Sequence, residues 1–160
     1  MKAAFKTYLE SVGITSSAIV SATEAALSIA GEIFPEDFPA IFVNDYVDSD
    51  GNRRHTEIEL LSSTNLLALY NWNSPADKII QVVGLSEIRS IQYAVKDFAP
   101  GAVSAASRLT VQLTFANSQG WLYKATSDNC THLLGLVRRY IIPHLVFGNR
   151  RSADGGVGPS

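Results

Sequence analysis

An acidic stretch in the first third of the chain has a spacing that resembles a calcium-binding loop. Asp48-Ser49-Asp50-Gly51 is followed by Glu59, in the twelfth position counted from Asp48. A calcium loop of the EF-hand type needs its glycine at position six, where this chain has Arg53, and helices on both sides. The stretch therefore favours a hairpin turn, because an Asp-Gly pair tolerates the positive φ angles of such turns.

Cys130 is the only cysteine, and it lies two residues before His132, near the start of a predicted helix. His55 and His144 are far away in sequence, so no group of residues has the ligand spacing of a structural zinc site. Cys130 could be an activated thiolate at a helix N-terminus. The sequence favours the alternative, a small residue half-buried under that helix.

Glu57 and Glu59 lie on one side of a predicted strand, as a pair of catalytic carboxylates would. Their alternation with Ile58 and Leu60 predicts the solvated face of that strand instead. The chain has no Gly-x-Ser-x-Gly or Ser-x-x-Lys motif and no glycine-rich phosphate loop. We therefore predict that the protein is not an enzyme, and that it has no metal site and no cofactor.

Four residues are candidates for contact with a partner: Trp72, Trp121, Arg138 and Arg139. The two tryptophans lie at the ends of predicted strands, where they either plug the end of the sheet or act as recognition aromatics. The two arginines lie on the last predicted helix, where a solvated surface is the alternative interpretation.

Composition predicts one globular domain in the cytoplasm. The chain has 160 residues, of which 46% are hydrophobic and 18% are charged. Its net charge of -2 disfavours general binding to nucleic acids. A single thiol cannot form an internal disulfide, and no segment is apolar enough for a signal peptide or a transmembrane helix.

Two helices are predicted before residue 35, at 2–10 and from about 16 to 32. The second is rich in alanine, which permits close packing and makes these helices a possible homodimer contact. From Ile41 the apolar period changes to two, which indicates strands at 41–47, 55–61, 66–72, 78–83, 88–96, 109–115 and 121–125. An amphipathic helix at 128–142 follows, and Pro143 is expected to end or kink it.

The pattern of about seven antiparallel strands and one closing helix resembles pleckstrin-homology-like (PH-like) domains, in particular bacterial members of uncharacterised type. Residues 59–70 resemble their opening hairpin, residues 78–91 their third and fourth strands, and residues 109–125 their last hairpin. The resemblance implies an α+β fold with a PH-like barrel at 41–147. The N-terminal helices, in 1–40, would then pack on the barrel and cover an edge, and 148–160 would be a disordered tail.

The resemblance also implies a binding module for a protein or peptide partner, with its site in the groove between the closing helix and the neighbouring strands. The alternative is a domain that binds a small molecule or a lipid headgroup. Lipid-binding PH-like domains place basic residues around the first hairpin, whereas the corresponding turn here, residues 62–65, has none. This difference favours the protein or peptide partner.

Overall fold

The computed structural model describes residues 2–34, 37–70 and 77–145. Its helices are α1 (Ala3–Ser11), α2 (Ser17–Ile33) and α3 (Asn129–Leu136). Its strands are β1 (Ala40–Val47), β2 (Arg53–Leu61), β3 (Asn65–Tyr70), β4 (Ile79–Gly84), β5 (Ile88–Lys96), β6 (Arg108–Phe115) and β7 (Gly120–Thr126). The predicted α+β class, with antiparallel strands between two N-terminal helices and a C-terminal helix, is confirmed.

The strands of the described residues form two antiparallel sheets that do not close into a barrel. Sheet A has the order β1-β2-β3-β4, and sheet B has the order β5-β6-β7. The tail predicted at 148–160 lies outside the described residues. No helix in the described part of the chain is long and apolar enough to cross a membrane.

Sheet A is buried on both faces. One face packs against α1 and α2 through Ile41, Val43, Ile58, Leu60, Leu67 and Leu69. The other face, with Phe42, Leu61, Leu66 and Ala68, packs against sheet B and the C-terminal helix. The run Leu66–Leu69 is apolar at every position because β3 lies between these two cores.

The N-terminal helices cover the outer face of sheet A. Phe5 and Leu9 of α1 are buried there, together with Ile19 of α2 and the small side chains Ala22, Ala26 and Ala30. These helices therefore supply one of the two hydrophobic cores.

The closing helix, as we call residues 129–145, packs on the inner face of sheet B. It consists of α3, a π-helical turn at Val137–Ile141 and a further helical turn at 142–145. The helix continues past Pro143, where the sequence predicts an end or a kink. Pro143 cannot donate a hydrogen bond to the preceding turn, and the wider π turn is the local adjustment that accommodates this.

Side chains join the two sheets where β1 passes β7. The ladder between β1 and β2 is irregular between Val43 and Asp45, which is the position of Asn44. The Oδ1 atom of Asn44 accepts a hydrogen bond from the Lys124 backbone N–H at 2.7 Å. The Oδ1 atom of Asp45 accepts one from the Thr126 backbone N–H at 3.0 Å. We call this contact the β1–β7 seam.

Candidate partner-binding edge

Arg138 and Arg139 lie on different sides of the closing helix, because consecutive residues of a helix point about 100° apart. Both side chains are exposed. Arg139 lines a groove between the closing helix, α1 and the start of β1. Arg138 lies on the side of β5, where its charge acts on Tyr93. The structure therefore assigns these two predicted residues to two separate surfaces.

The inner face of sheet B is covered unevenly by the closing helix. Leu109 and Val111 of β6 are at most 1% exposed, whereas Tyr93 and Val95, their partners on β5, are 40% and 56% exposed. Ile91, next along the same face of β5, is half-buried against the core. Ile91, Tyr93 and Val95 form an apolar strip beside the helix, which we call the edge strip.

The β5 edge, as we call the outer edge of this nine-residue strand, has no neighbouring strand among the described residues. Every second residue of an edge strand directs its backbone N–H and C=O away from the sheet. Another extended segment could form a ladder with those groups. The β5 edge therefore combines open backbone positions with the apolar edge strip.

The edge of β1, in contrast, is occupied by side chains. The Tyr8 hydroxyl accepts a hydrogen bond from the Val43 N–H at 3.0 Å, and Asn129 Nδ2 donates to the Val43 carbonyl at 2.9 Å. His132 Nε2 donates to the Ile41 carbonyl at 2.8 Å. A partner strand would have to displace these groups, so β1 is closed to strand addition.

The groove that Arg139 borders, which we call the α1 groove, has a volume of about 440 Å³. His132 forms one wall and stacks on Tyr8, with ring centroids 3.8 Å apart. Burial lowers the pKa of His132. Phe5 and Leu136 add apolar surface, so the α1 groove is an apolar depression with Arg139 at its border.

Trp121 lies inside the protein and is only 6% exposed. Its Nε1 atom donates hydrogen bonds to the Glu59 carboxyl oxygens at 2.9 and 3.0 Å. This position fits the interpretation that Trp121 plugs the end of the sheet. It leaves little indole surface for a partner. Trp72, the other predicted tryptophan, lies outside the described residues.

Glu59 corrects the prediction of a solvated face on β2, because it is only 1% exposed. It faces the core between the sheets, where Asn44 Nδ2 donates a hydrogen bond to it at 3.2 Å. Burial raises the pKa of Glu59 to about 8, although the hydrogen bond from Trp121 acts in the opposite direction. The sequence does contain a signal for this burial, because β2 and β3 have apolar residues on both of their faces.

Cys130, the candidate reactive thiol, and the candidate metal-binding residues show no arrangement for chemistry among the described residues. Cys130 is fully buried, its Sγ atom lies 3.4 Å from the Ala125 carbonyl oxygen, and burial raises its pKa to about 11. This environment favours the unreactive thiol. No group of three or more His, Cys, Asp or Glu residues in the described ranges is placed to bind a metal ion.

The acidic stretch at Asp48 forms the predicted hairpin turn. Asp48 Oδ1 accepts hydrogen bonds from the backbone N–H groups of Asp50 and Asn52, both at 2.9 Å. Asp48 Oδ2 pairs with Arg54 Nε at 2.8 Å. Gly51 has the expected positive φ, at 82°. The Asp48 carboxylate thus holds the turn together.

The comparisons with known proteins leave the family open. No model of a known protein family matches this chain. No curated protein matches it either.

Proposed function

We propose that this protein is a non-enzymatic interaction module that binds an extended segment of a partner protein along the β5 edge. The observation that carries the proposal is the edge strip beside the closing helix, with Val95 56% exposed on an edge strand. A segment added to β5 gains main-chain hydrogen bonds, and alternate side chains of that segment would pack on the strip.

A PH-like arrangement is part of the same proposal. The described residues support it with seven strands in two antiparallel sheets, followed by a helix on the inner face of the second sheet. The β1–β7 seam is the place where a closed barrel would have a backbone ladder. Side chains of Asn44 and Asp45 bridge it instead, which makes this an open variant of the barrel that the sequence suggests.

The test of this function is selection of a displayed library of random nine-residue peptides on the immobilised full chain. We expect enriched peptides whose binding is lost in Val95→Lys, because a lysine disfavours pairing at a strand edge. Leu122→Lys is the matched control: Leu122 is 45% exposed on the opposite face of sheet B, and its replacement should leave binding unchanged. Equal binding to both variants, or no enriched peptide, would contradict the proposal.

A second candidate function is the binding of a small molecule or lipid headgroup in the α1 groove. It is favoured by the apolar wall of this groove and by Arg139, which suits an anionic group at its border. Binding of vesicles with anionic lipid that is reduced by Arg139→Gln and unchanged by Val95→Lys would support this alternative. No vesicle binding and no thermal shift with a ligand library would contradict it.

Dimerisation through the N-terminal helices stays a prediction. On α2, Ile29 and Ile33 are 40% and 58% exposed and add apolar surface near the end of the helix. Light scattering of the full chain tests this directly. A strict monomer at high protein concentration would rule the dimer out.

A further inference from the structure

The two elements that border the edge strip carry basic residues and no acidic ones. β5 contains Arg89 and Lys96, and the closing helix, residues 129–145, contains Arg138 and Arg139. Neither element contains Asp or Glu, although the whole chain has a net charge of -2. These two elements therefore carry a net positive charge, although Glu87 and Asp97 flank β5 in the sequence.

Arg138 is the basic side chain best placed to act at the edge strip. Arg138 is exposed on the closing helix and follows Val137, which is buried in the core that the helix shares with sheet B. Burial raises the pKa of Tyr93, and the positive charge of Arg138 opposes that shift. Arg138 has no ion-pair partner among the described residues, whereas Arg89 lies 3.9 Å from the Glu87 carboxylate. The positive charge of Arg138 is thus available to a ligand on the strip.

From this charge distribution we infer that the bound segment carries a carboxylate side chain, Asp or Glu, that pairs with Arg138 beside apolar side chains packed on Tyr93 and Val95. This inference rests on the proposed function, since it specifies the partner of the same edge. Residues two apart in an extended segment lie on the same face. The expected partner sequence therefore has apolar residues at alternate positions and an acidic residue near them.

Arginine suits this role because its planar guanidinium can donate two parallel hydrogen bonds to one carboxylate. Tyr93 and Val95 would exclude water from one side of that pair, which strengthens it relative to a fully exposed ion pair. Arg139 cannot substitute, because it lies on the α1 groove and its guanidinium is 5.5 Å from the centre of the Tyr140 ring.

The experiment compares selections of the random nine-residue library on the wild-type chain, on Arg138→Gln and on Arg139→Gln. We expect Asp or Glu to be enriched on the wild type and on Arg139→Gln, and this enrichment to be lost on Arg138→Gln. Synthetic copies of the selected peptides with Glu→Gln should bind the wild type about fivefold more weakly. The same change should have no effect on binding to Arg138→Gln.

Each other outcome has a distinct meaning. Enriched peptides without acidic residues, or an acidic preference that Arg138→Gln retains, would overturn this inference and leave the proposed function intact. The absence of any enriched peptide would overturn both. Binding of anionic vesicles that depends on Arg138, without peptide binding, would replace the acidic peptide with a lipid surface.

Discussion

The edge of β1 and the edge of β5 differ in how their outward-facing backbone groups are paired. Both strands lie at the border of a sheet and present backbone groups that need partners. At β1, Tyr8, Asn129 and His132 supply those partners from α1 and the closing helix. At β5 the described residues supply no neighbouring strand, and the strand itself carries no acidic side chain. The side chains at β1 close that edge, whereas β5 is the edge that the proposed partner would use.

The largest expected effect is at the β1–β7 seam. Asp45 is fully buried, pairs with Arg53 and accepts hydrogen bonds from Thr126 and Asn129. Asp45→Ala leaves the guanidinium of Arg53 and several donors without their acceptor. We expect the free energy of unfolding to fall by about 3–5 kcal/mol, as measured by chemical denaturation.

Asp48→Ala is the matched control for the seam, because Asp48 also pairs with an arginine, Arg54, but on an exposed turn. Its effect should be much smaller. If both substitutions destabilise the protein equally, the β1–β7 seam contributes no more to stability than the exposed turn does.

The buried carboxyl next to the seam makes stability depend on pH. The pKa of Glu59 rises from 4.5 to about 8 on folding, so the folded state binds more protons in that interval. Stability is therefore highest at low pH with respect to this group and falls as the pH increases from about 4.5 to about 8. The loss is on the order of 5 kcal/mol, and Glu59→Gln should abolish it in denaturation curves recorded across that range.

Glu57→Gln is the control for this pH effect, because it removes a carboxylate from the same strand and leaves Glu59 in place. The loss of stability with rising pH should persist in this variant. A pH dependence that survives Glu59→Gln would show that another group causes it.

A smaller effect is expected from opening the β1 edge at a single hydrogen bond. Tyr8→Phe removes the acceptor of the Val43 N–H and the donor to Asn129 Oδ1. We expect a loss of about 1–3 kcal/mol, with faster hydrogen exchange at the Val43 amide.

Tyr93→Phe makes the same chemical change at the open β5 edge. Since Tyr93 is 40% exposed, this substitution should leave stability nearly unchanged. Equal losses in the two tyrosine variants would remove the distinction between the closed and the open edge.

The smallest effect on stability is expected at the edge strip itself. Val95→Lys replaces an exposed side chain on an edge strand, so the free energy of unfolding should change by no more than about 0.5 kcal/mol. If Val95→Lys keeps normal stability and loses peptide binding, the two edges differ as expected, because substitutions at the closed β1 edge should reduce stability instead. A large loss of stability would mean that Val95 belongs to the core.

The order of the elements could be predicted from the sequence because local periodicity carries it. The change to a period of two at Ile41, the alternation from Leu109 to Phe115 and the Asp50-Gly51 turn are local signals, and the structure confirms the strands and the turn that they predict. The closing helix follows its stripe Leu133, Val137 and Ile141, all of which are buried.

The location of the polar groups was harder to predict from the sequence than the order of the elements. Glu59 alternates with apolar residues and therefore has the pattern of a solvated face, but α1 and α2 cover the opposite face of its sheet, which makes both faces interior. The seam depends on the contact between Asp45 and Thr126, which are 81 residues apart, and nothing local in the sequence indicates that contact. The edge strip likewise depends on how far the closing helix extends over sheet B.

The burial of sheet A on both faces also bears on how the protein unfolds. Its strands form a common wall between two hydrophobic cores, one completed by the N-terminal helices and the other by sheet B and the closing helix. Detaching α1 and α2 would expose the apolar side chains on one side of that wall to water. The two cores should consequently melt together in a single cooperative transition, and residues 2–34 should behave as an integral part of the folding unit.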